Sequence, residues 1–304
     1  MKKNKNIAVD IIIVSYNTKE LTRNCLRSIL AQTKDIDFEI WVVDNASTDG
    51  SAEMIRKEFP QIKIIENQKN LGFGKANNVA IRKSWAKYIF CLNPDTILLN
   101  NAVKIFYDFM ENAKNKNVGC CGGNLYNKDM TLQISYGNFP SLKQIVFEQF
   151  GLSKIFKNYY EKDLSAGVKS YDNQIKEVDY ISGADMFIRR SALDEIGLFD
   201  PDFFLYYEET ELSYRMNQKG FKSIIVPQAR IIHLIGGGNP FKNFDLTKIK
   251  IMKMSEFLFF KKCYGYGNFS KFLMKFLYKI GYLSRLILKS DRRYLDLIRI
   301  IDKI

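Results

Sequence analysis

Four short apolar runs, at residues 10–15, 38–43, 62–65 and 88–92, alternate with stretches of helical spacing, and this alternation constrains the first hundred residues. Each run is strand-length, and the first, rich in Ile and Val, sets the type: buried strands. Between the first two, Leu21, Cys25, Leu26, Ile29 and Leu30 recur at helical spacing behind Thr18, a predicted N-cap. Ser47-Thr48-Asp49-Gly50-Ser51 is turn chemistry leading into a helix that ends at Phe59, and Gly72 and Gly74 open a helix over residues 75–85. Strands and helices alternating over short connections predict a mostly parallel sheet with helices on both faces.

Beyond residue 95 the order loosens. Residues 102–113 read as a helix and 118–125 as a strand. Residues 135–176 are rich in aromatics, Lys and Asn, without a period that places them. Regularity returns with a strand at 186–189, a helix capped by Ser191 and ending at Gly197, a helix over 208–219 stopped by Gly220, and strand-like runs at 221–226 and 229–234. From residue 248 onward Phe, Tyr, Leu and Ile interleave with Lys and Arg, and apolar positions 272, 273, 276, 277, 280 and 283 have helical spacing.

Charge divides the chain where the pattern changes. The net charge is +13, yet residues 241–304 hold 15 Lys or Arg against 5 Asp or Glu, a balance of +10. A basic field confined to one end points to an anionic partner, membrane or nucleic acid. Cys25, Cys91, Cys120, Cys121 and Cys263 form no C-x-x-C pair and are expected to be buried thiols of a reducing compartment. No leader-like segment and no apolar stretch of spanning length is visible, so the expected location is cytoplasmic, at the inner face of the cell membrane.

Asn93-Pro94-Asp95 joins the strand at 88–92 to a second apolar run, Thr96-Ile97-Leu98-Leu99. Proline halts a central ladder, so the chain turns and holds Asp95 at a strand's C-terminal end, where open α/β sheets bind ligands. Two readings stand on the tripeptide alone: a carboxylate that holds a metal with its phosphate, or an Asn-Pro turn that caps the next helix.

The stretches IIIVSYN (11–17), VVDNASTDGS (42–51), NLGFGKANN (70–78), FCLNPDTIL (90–98), SGADMFIRR (182–190), FLYYEETELSYRM (204–216) and the run ending at His233 occur in one order. Together they resemble the family 2 glycosyltransferases of GT-A fold, particularly the rhamnosyltransferase-like branch, over residues 9–240. The resemblance implies a Rossmann-like, mostly parallel sheet in a catalytic domain at 1–240, its nucleotide-binding half at about 1–100 and its acceptor half at about 101–240. Residues 241–304 form a basic, aromatic-rich helical extension.

The same resemblance implies roles. Ser15, Tyr16 and Asn17 line the base and ribose, Asp44 accepts from a ring N–H of uracil or thymine beside Asn45, and Gly72, Phe73 and Asn77 belong to a loop closing over the nucleotide. Asn93 stands where the family's Asp-x-Asp motif has its first carboxylate and hydrogen-bonds ribose or phosphate of the nucleotide, which leaves Asp95 to hold Mn²⁺ or Mg²⁺ on the nucleotide's diphosphate with His233, the only histidine. Taken alone, a histidine on an apolar strand such as His233 is more often structural than a ligand. Glu209, with Glu208 as alternative, is the base that takes the acceptor hydroxyl's proton; Glu211 pairs with Arg215 at i+4, and the segment also reads as a solvated acidic helix start. Gly183, Ala184, Asp185 and Glu211 face donor sugar or acceptor.

The expected activity is inverting transfer of a sugar from a UDP- or dTDP-sugar to a glycan or lipid-linked glycan in surface polysaccharide synthesis. Two other readings remain: a nucleotidyltransferase forming sugar nucleotides, and a non-enzymatic basic protein binding membrane or RNA. The first lacks a glycine- and basic-rich loop after the opening strand, where SYNTKE stands. No RNA-binding motif is visible, so no nucleic acid partner is expected. The tail fits an amphipathic helix lying on an anionic bilayer, a helical pair packed on the catalytic domain, or a homodimer contact.

Overall fold

A computed structural model describes residues 7–165, 167, 173–234 and 244–304. The strands are β1 (Val9–Ser15), β2 (Phe38–Asp44), β3 (Lys63–Glu66), β4 (Tyr88–Leu92), β5 (Thr96–Leu98), β6 (Val118–Tyr126), β7 (Tyr136–Gly137), β8 (Lys176–Val178), β9 (Tyr180–Ile181), β10 (Asp185–Arg189) and β11 (Lys222–His233). The helices are α1 (Lys19–Gln32), α2 (Ser51–Glu58), α3 (Phe73–Ile81), α4 (Ala102–Glu111), α5 (Leu142–Gln149), α6 (Leu152–Ile155), α7 (Lys157–Asp163), α8 (Arg190–Ile196), α9 (Glu208–Gln218), α10 (Leu246–Tyr264), α11 (Asn268–Lys289) and α12 (Arg293–Lys303).

The central sheet runs β3-β2-β1-β4-β10-β6-β11-β5, with β8 also on β11. As the alternation predicts, β3, β2, β1 and β4 are parallel. β10 then runs antiparallel between β4 and β6, and β11 returns parallel to β6. Side chains alternate across these strands, so one face packs Ile11, Ile13, Phe90 and Phe187 on α1, α2 and α4. The other packs Ile12, Ile89, Met186 and Ile188 on α3, α8 and α9. Registers Ser15↔Asp44 and Asp44↔Glu66 keep the C-terminal ends of the parallel strands level, which gives the sheet one edge where loops converge.

Three local expectations change. Thr18 does not cap α1 with its side chain, which meets Ser15 and Thr22; the first helical N–H, on Lys19, is met by Asp49 Oδ2 at 2.9 Å instead. Helix α8 begins at Arg190, so Ser191 lies inside it. The two strand-like runs after Gly220 form one strand, β11, whose register with β6 shifts between Ile225 and Arg230, around Pro227, which has no N–H to give a ladder.

The unplaced stretch 135–176 contains α5, α6, α7 and the two-residue β7, which pairs with β9. All five cysteines are free: four are buried and Cys263 is half-buried, and burial pushes the Cys25 thiol up to about 12.

The basic tail is helical and shares a core with the second half of the sheet domain. Ile145 of α5 and Phe203 pack with Phe257, Phe259 and Phe260 of α10, Tyr278 of α11 and Leu297 of α12. Each buried ring of this kind contributes ~2–3 kcal/mol of transfer free energy. Tyr207 and Tyr214 pack against Phe259 with ring centroids 5.9 Å apart, and Ser255 donates to Leu205 O at 2.9 Å, so α10 braces the segment entering α9. Lys253 and Glu256 are buried there as a 2.7 Å pair, and Tyr278 donates to the same carboxylate. Helix α11 has the predicted period on the opposite face: Met274, Tyr278, Gly281 and Tyr282 are buried, while Phe272, Phe276 and Leu283 are exposed.

Candidate active site

The loops at the C-terminal edge hold most of the residues singled out in the sequence. Asp44, at the end of β2, is buried; its Oδ2 accepts from Ser47 N–H at 3.0 Å, and its Oδ1 is buried with no hydrogen-bond partner. A buried carboxylate oxygen without a donor is costly, and an imide N–H of a base is the kind of group that would satisfy it. Tyr16 beside it is exposed at 48%, and Asn17, at φ +52°, accepts from Thr48 N–H at 2.8 Å. Ser15 departs from expectation: its hydroxyl is turned inward onto Thr18 and Thr22 at 3.0 and 3.1 Å.

Asn45 is corrected from a nucleotide contact to a loop clamp. Its Oδ1 accepts from Asn67 and from Leu71 N–H, both at 3.0 Å, and its Nδ2 donates to Asn70 at 2.8 Å. This binds residues 67–72 to the end of β2. Gly72 comes next at φ +81°, and a Cβ there would sit 2.0 Å from Phe204 O, so its backbone closely approaches the 204 segment. Phe73 N–H donates to the same carbonyl at 3.0 Å. Gly72→Ala combines a left-handed backbone with a main-chain clash, and we expect it to cost about 2–4 kcal/mol and to weaken nucleotide binding. Thermal melting with and without UDP checks this; an unchanged melt would mean that the two loops separate freely. Asn77 is buried with Oδ1 unpartnered, whereas Asn78, which carries no signal in the sequence, ties α3 to Phe199 by two backbone hydrogen bonds of 2.8 and 3.1 Å.

The turn after β4 brings Asn93 and Asp95 to His233. His233 Nε2 lies 3.3 Å from Asp95 Oδ1 and 3.3 Å from Asn93 Nδ2. Its Nδ1 lies 2.7 Å from Gln133 Oε1. Gln133 donates through Nε2 to His233 O and Asn127, so its Oε1 accepts, and Nδ1 carries the proton. His233 Nε2 thus faces Asp95 Oδ1 across 3.3 Å, a spacing at which one cation could be held by both. The oxygen and imidazole donors suit Mn²⁺, and the backing amide fixes the tautomer as outer partners of metal ligands do. Among the described residues no group of three or more His, Cys, Asp or Glu could hold an ion, so Asp95 and His233 would hold it with oxygens from a ligand. Gly236, Gly237 and Gly238, expected as a loop after His233, lie outside the described residues.

Residues 182–184 separate this pair from the acidic helix start. Ala184 O accepts Asn93 N–H at 3.0 Å, and a Cβ on Gly183 would lie 3.7 Å from the Phe73 ring and 3.8 Å from Glu209 Cβ. Glu209 is half-buried at the N-terminus of α9. Burial pushes its carboxyl up to about 7 despite the helix-end N–H groups that favour the anion. Glu208 is buried with Oε2 unpartnered; burial, then the Glu209 charge, raise it well above the carboxylate range. Tyr206 and Tyr207, just before, both adopt φ +68°, a conformation costly for aromatic residues and held here by α10.

Two further assignments change. Glu211 is buried in a two-pronged pair with Arg215, at 2.5 and 2.8 Å, as the i+4 spacing predicts. Arg215 also donates to Ile196 O and Leu198 O, so Glu211 fastens α9 to that loop and does not face substrate. Asp185 lies wholly buried within the sheet with Oδ2 accepting Gly123 N–H at 2.6 Å, and burial raises its pKa well above the carboxylate range. It underlies the site floor and is not open to sugar.

The family model described as Glycosyl transferase family 2 matches residues 10–197. The chain is 23% identical over 238 residues to the N-acetylglucosaminyl-diphospho-decaprenol L-rhamnosyltransferase of Mycobacterium tuberculosis, covering 73% of this chain and 75% of that one. It is 24% identical to the low-salt glycan biosynthesis hexosyltransferase Agl10 of Haloferax volcanii, covering 75% of this chain and 66% of the relative. It is also 24% identical to the poly-β-1,6-N-acetyl-D-glucosamine synthase of Staphylococcus epidermidis, over 73% of this chain and 48% of the synthase. The crystal structure of GalNAc-T7 with UDP, GalNAc and Mn²⁺ superposes with a TM-score of 0.55 at 16% identity, covering 83% of this chain and 48% of that one, a likeness of GT-A fold. The chain thus spans about half the length of the synthase and of the GalNAc-T7 chain. Glu209 and His233 lie beyond the residues matched by the family model, so their roles rest on geometry.

Proposed function

Because this chain belongs to glycosyl transferase family 2, we propose that it transfers a sugar, with inversion, from a UDP- or dTDP-sugar to a glycan or lipid-linked glycan during surface polysaccharide synthesis. The observation that carries this reading is the convergence, at one sheet edge, of Asp44 with its unpartnered oxygen, the Asp95–His233 pair, and Glu209 across the Gly183–Ala184 turn. The names of the relatives support a lipid-linked or polysaccharide acceptor.

In this reading Asp44 accepts the base N–H while Tyr16 and Asn17 flank base and ribose. Asp95 and His233 hold Mn²⁺ or Mg²⁺ with the donor's diphosphate. That cation, when bound, neutralises charge developing on the leaving nucleoside diphosphate. Glu209 takes the proton of the acceptor hydroxyl as its oxygen attacks the anomeric carbon; the bond to the diphosphate breaks on the opposite side, and the configuration inverts. An α-linked UDP-hexose then gives a β-linkage, and a β-linked dTDP-rhamnose an α-L-rhamnosyl linkage. No helix among the described residues is long and apolar enough to cross a membrane. In this reading a peripheral contact with the membrane of a lipid-linked acceptor runs through the basic, aromatic-rich C-terminal helices.

Melting with UDP, dTDP and GDP, each with and without Mn²⁺, tests the donor reading. We expect UDP or dTDP with Mn²⁺ to raise the melting temperature most, since a ligand at 100 times its Kd adds about 2.7 kcal/mol to stability. Equal shifts for all three would remove Asp44 as the base reader. Stabilisation by a nucleoside triphosphate with a sugar phosphate would favour a nucleotidyltransferase.

A further inference from the structure

Helix α11 carries a second surface on the side that the core leaves bare. Phe269, Phe272, Phe276, Leu283 and Ile287 are exposed at 79, 64, 49, 49 and 69%. At 3.6 residues per turn they fall within an arc of about 60°. The opposite side of the helix is closed, with Gly281 so near α5 that a Cβ would meet Gln149 at 2.6 Å. A row of exposed rings and branched chains this long is an interaction surface and not an incidental exposure.

Its borders are basic. Lys271, Lys275 and Lys279 repeat every fourth residue along one flank, and no Asp or Glu occurs anywhere in Asn268–Lys289. Lys271 and Lys275 donate to main-chain oxygens of Ile304 and Asp302, and Lys279 pairs with the Asp302 carboxylate. Where α5 meets α11, Arg285 donates to Gln149 at 2.8 Å. The segment after α5 exposes Phe150, Ile155 and Phe156 at 48, 72 and 53%, with exposed Lys154 and Lys157 among them.

We propose that this face of α11 lies in the headgroup layer of an anionic bilayer, its apolar row inserted and its lysines at the level of the lipid phosphates. Apolar depth with a cationic border is the pattern of helices that lie in a membrane interface. A second copy of this chain fits the face poorly: a two-fold contact sets the same patch against itself, so lysine row would approach lysine row with Asp302 already engaged by Lys279. The inference rests on the peripheral contact proposed above and specifies its surface, and it does not depend on the sugar chemistry.

The test uses the full chain, co-sedimented with vesicles of phosphatidylcholine alone or mixed with phosphatidylglycerol. Phe272→Glu/Phe276→Glu and Phe269→Ser/Ile287→Ser are compared with the unaltered protein, all with circular dichroism and sedimentation velocity. We expect the protein to bind the anionic vesicles, less so as salt rises, and not the neutral ones; both variants should partition about tenfold more weakly while keeping their helicity and donor hydrolysis. Absence of vesicle binding, equal binding by the variants, or a dimer that the glutamates dissociate would overturn the assignment. If the protein binds vesicles through this face but uses no nucleotide sugar, the transfer reading falls and this one stands.

Discussion

Glu209→Gln should lower turnover about 10³-fold while nucleotide affinity stays unchanged, since general-base catalysis contributes typically 10²–10⁴-fold. The side chain starts 3.8 Å from a Cβ position on Gly183, between the acceptor-side turn and the first turn of α9. Two consecutive left-handed tyrosines, braced by Ser255 and Phe259, set its direction. Gln keeps that shape and cannot take a proton. Glu208 gives the control: it is buried with Oε2 unpartnered, and burial raises its pKa well above the carboxylate range, which weakens it as a base, so Glu208→Gln should cost less than about tenfold. A collapse with Glu208→Gln and none with Glu209→Gln would move the base by one residue. The pH profile gives an independent sign. Only ionised Glu209 acts as a base, so turnover should rise with pH and level off above about 7, and the Gln variant should lose that limb. Stability should run the other way. Both carboxyls are raised in the folded state, so their contribution is full below the ordinary glutamate range and is lost as pH rises through the raised values. The melting temperature should therefore decline over the interval in which activity increases.

The legible parts of this chain are those where one residue type and one period act together. Ile11, Ile12 and Ile13 are buried on alternating faces of β1, and such a run can hardly be anything but a central strand. The stretch at 135–176 is opaque because its helices span four to eight residues and β7 spans two, too short for a period to register. Asn45 and Glu211 read as site residues because the sequence shows that a polar group is near the edge and not which way it turns; hydrogen bonds to Leu71 and Arg215 decide that. Asp185 misleads for a related reason, since its carboxylate inside a strand is met by Gly123 N–H and burial raises its pKa well above the carboxylate range. Gln133 carries no signal at all. It is a lone amide, 100 residues from the histidine whose tautomer it sets, and only the fold brings the two together. In the tail the period is visible, but both sides of α11 are rich in apolar residues, so composition does not tell the packed face from the bare one.

Asp95→Ala should abolish cation-dependent turnover, a loss of about 10³-fold or more, because it removes the one carboxylate that Asn93-Pro94-Asp95 offers. The consequence can be read without catalysis, by titrating Mn²⁺ against protein and UDP and tracking the paramagnetic signal of the free ion. His233→Ala leaves Asp95 and the nucleotide's phosphates in place, so its Mn²⁺ affinity should fall less than that of Asp95→Ala. Gln133→Leu separates orientation from ligation. The Gln133 side chain bonds to His233 and Asn127, so the change frees the His233 ring to take the other tautomer, and outer partners of this kind are typically worth about 10–100-fold in affinity. The expected order of weakening is Asp95→Ala, then His233→Ala, then Gln133→Leu. If His233→Ala and Gln133→Leu both keep full Mn²⁺ affinity while Asp95→Ala loses it, the ion is held by Asp95 and the diphosphate alone, and the contact between His233 and Asp95 serves to pin the turn after β4 against the end of β11.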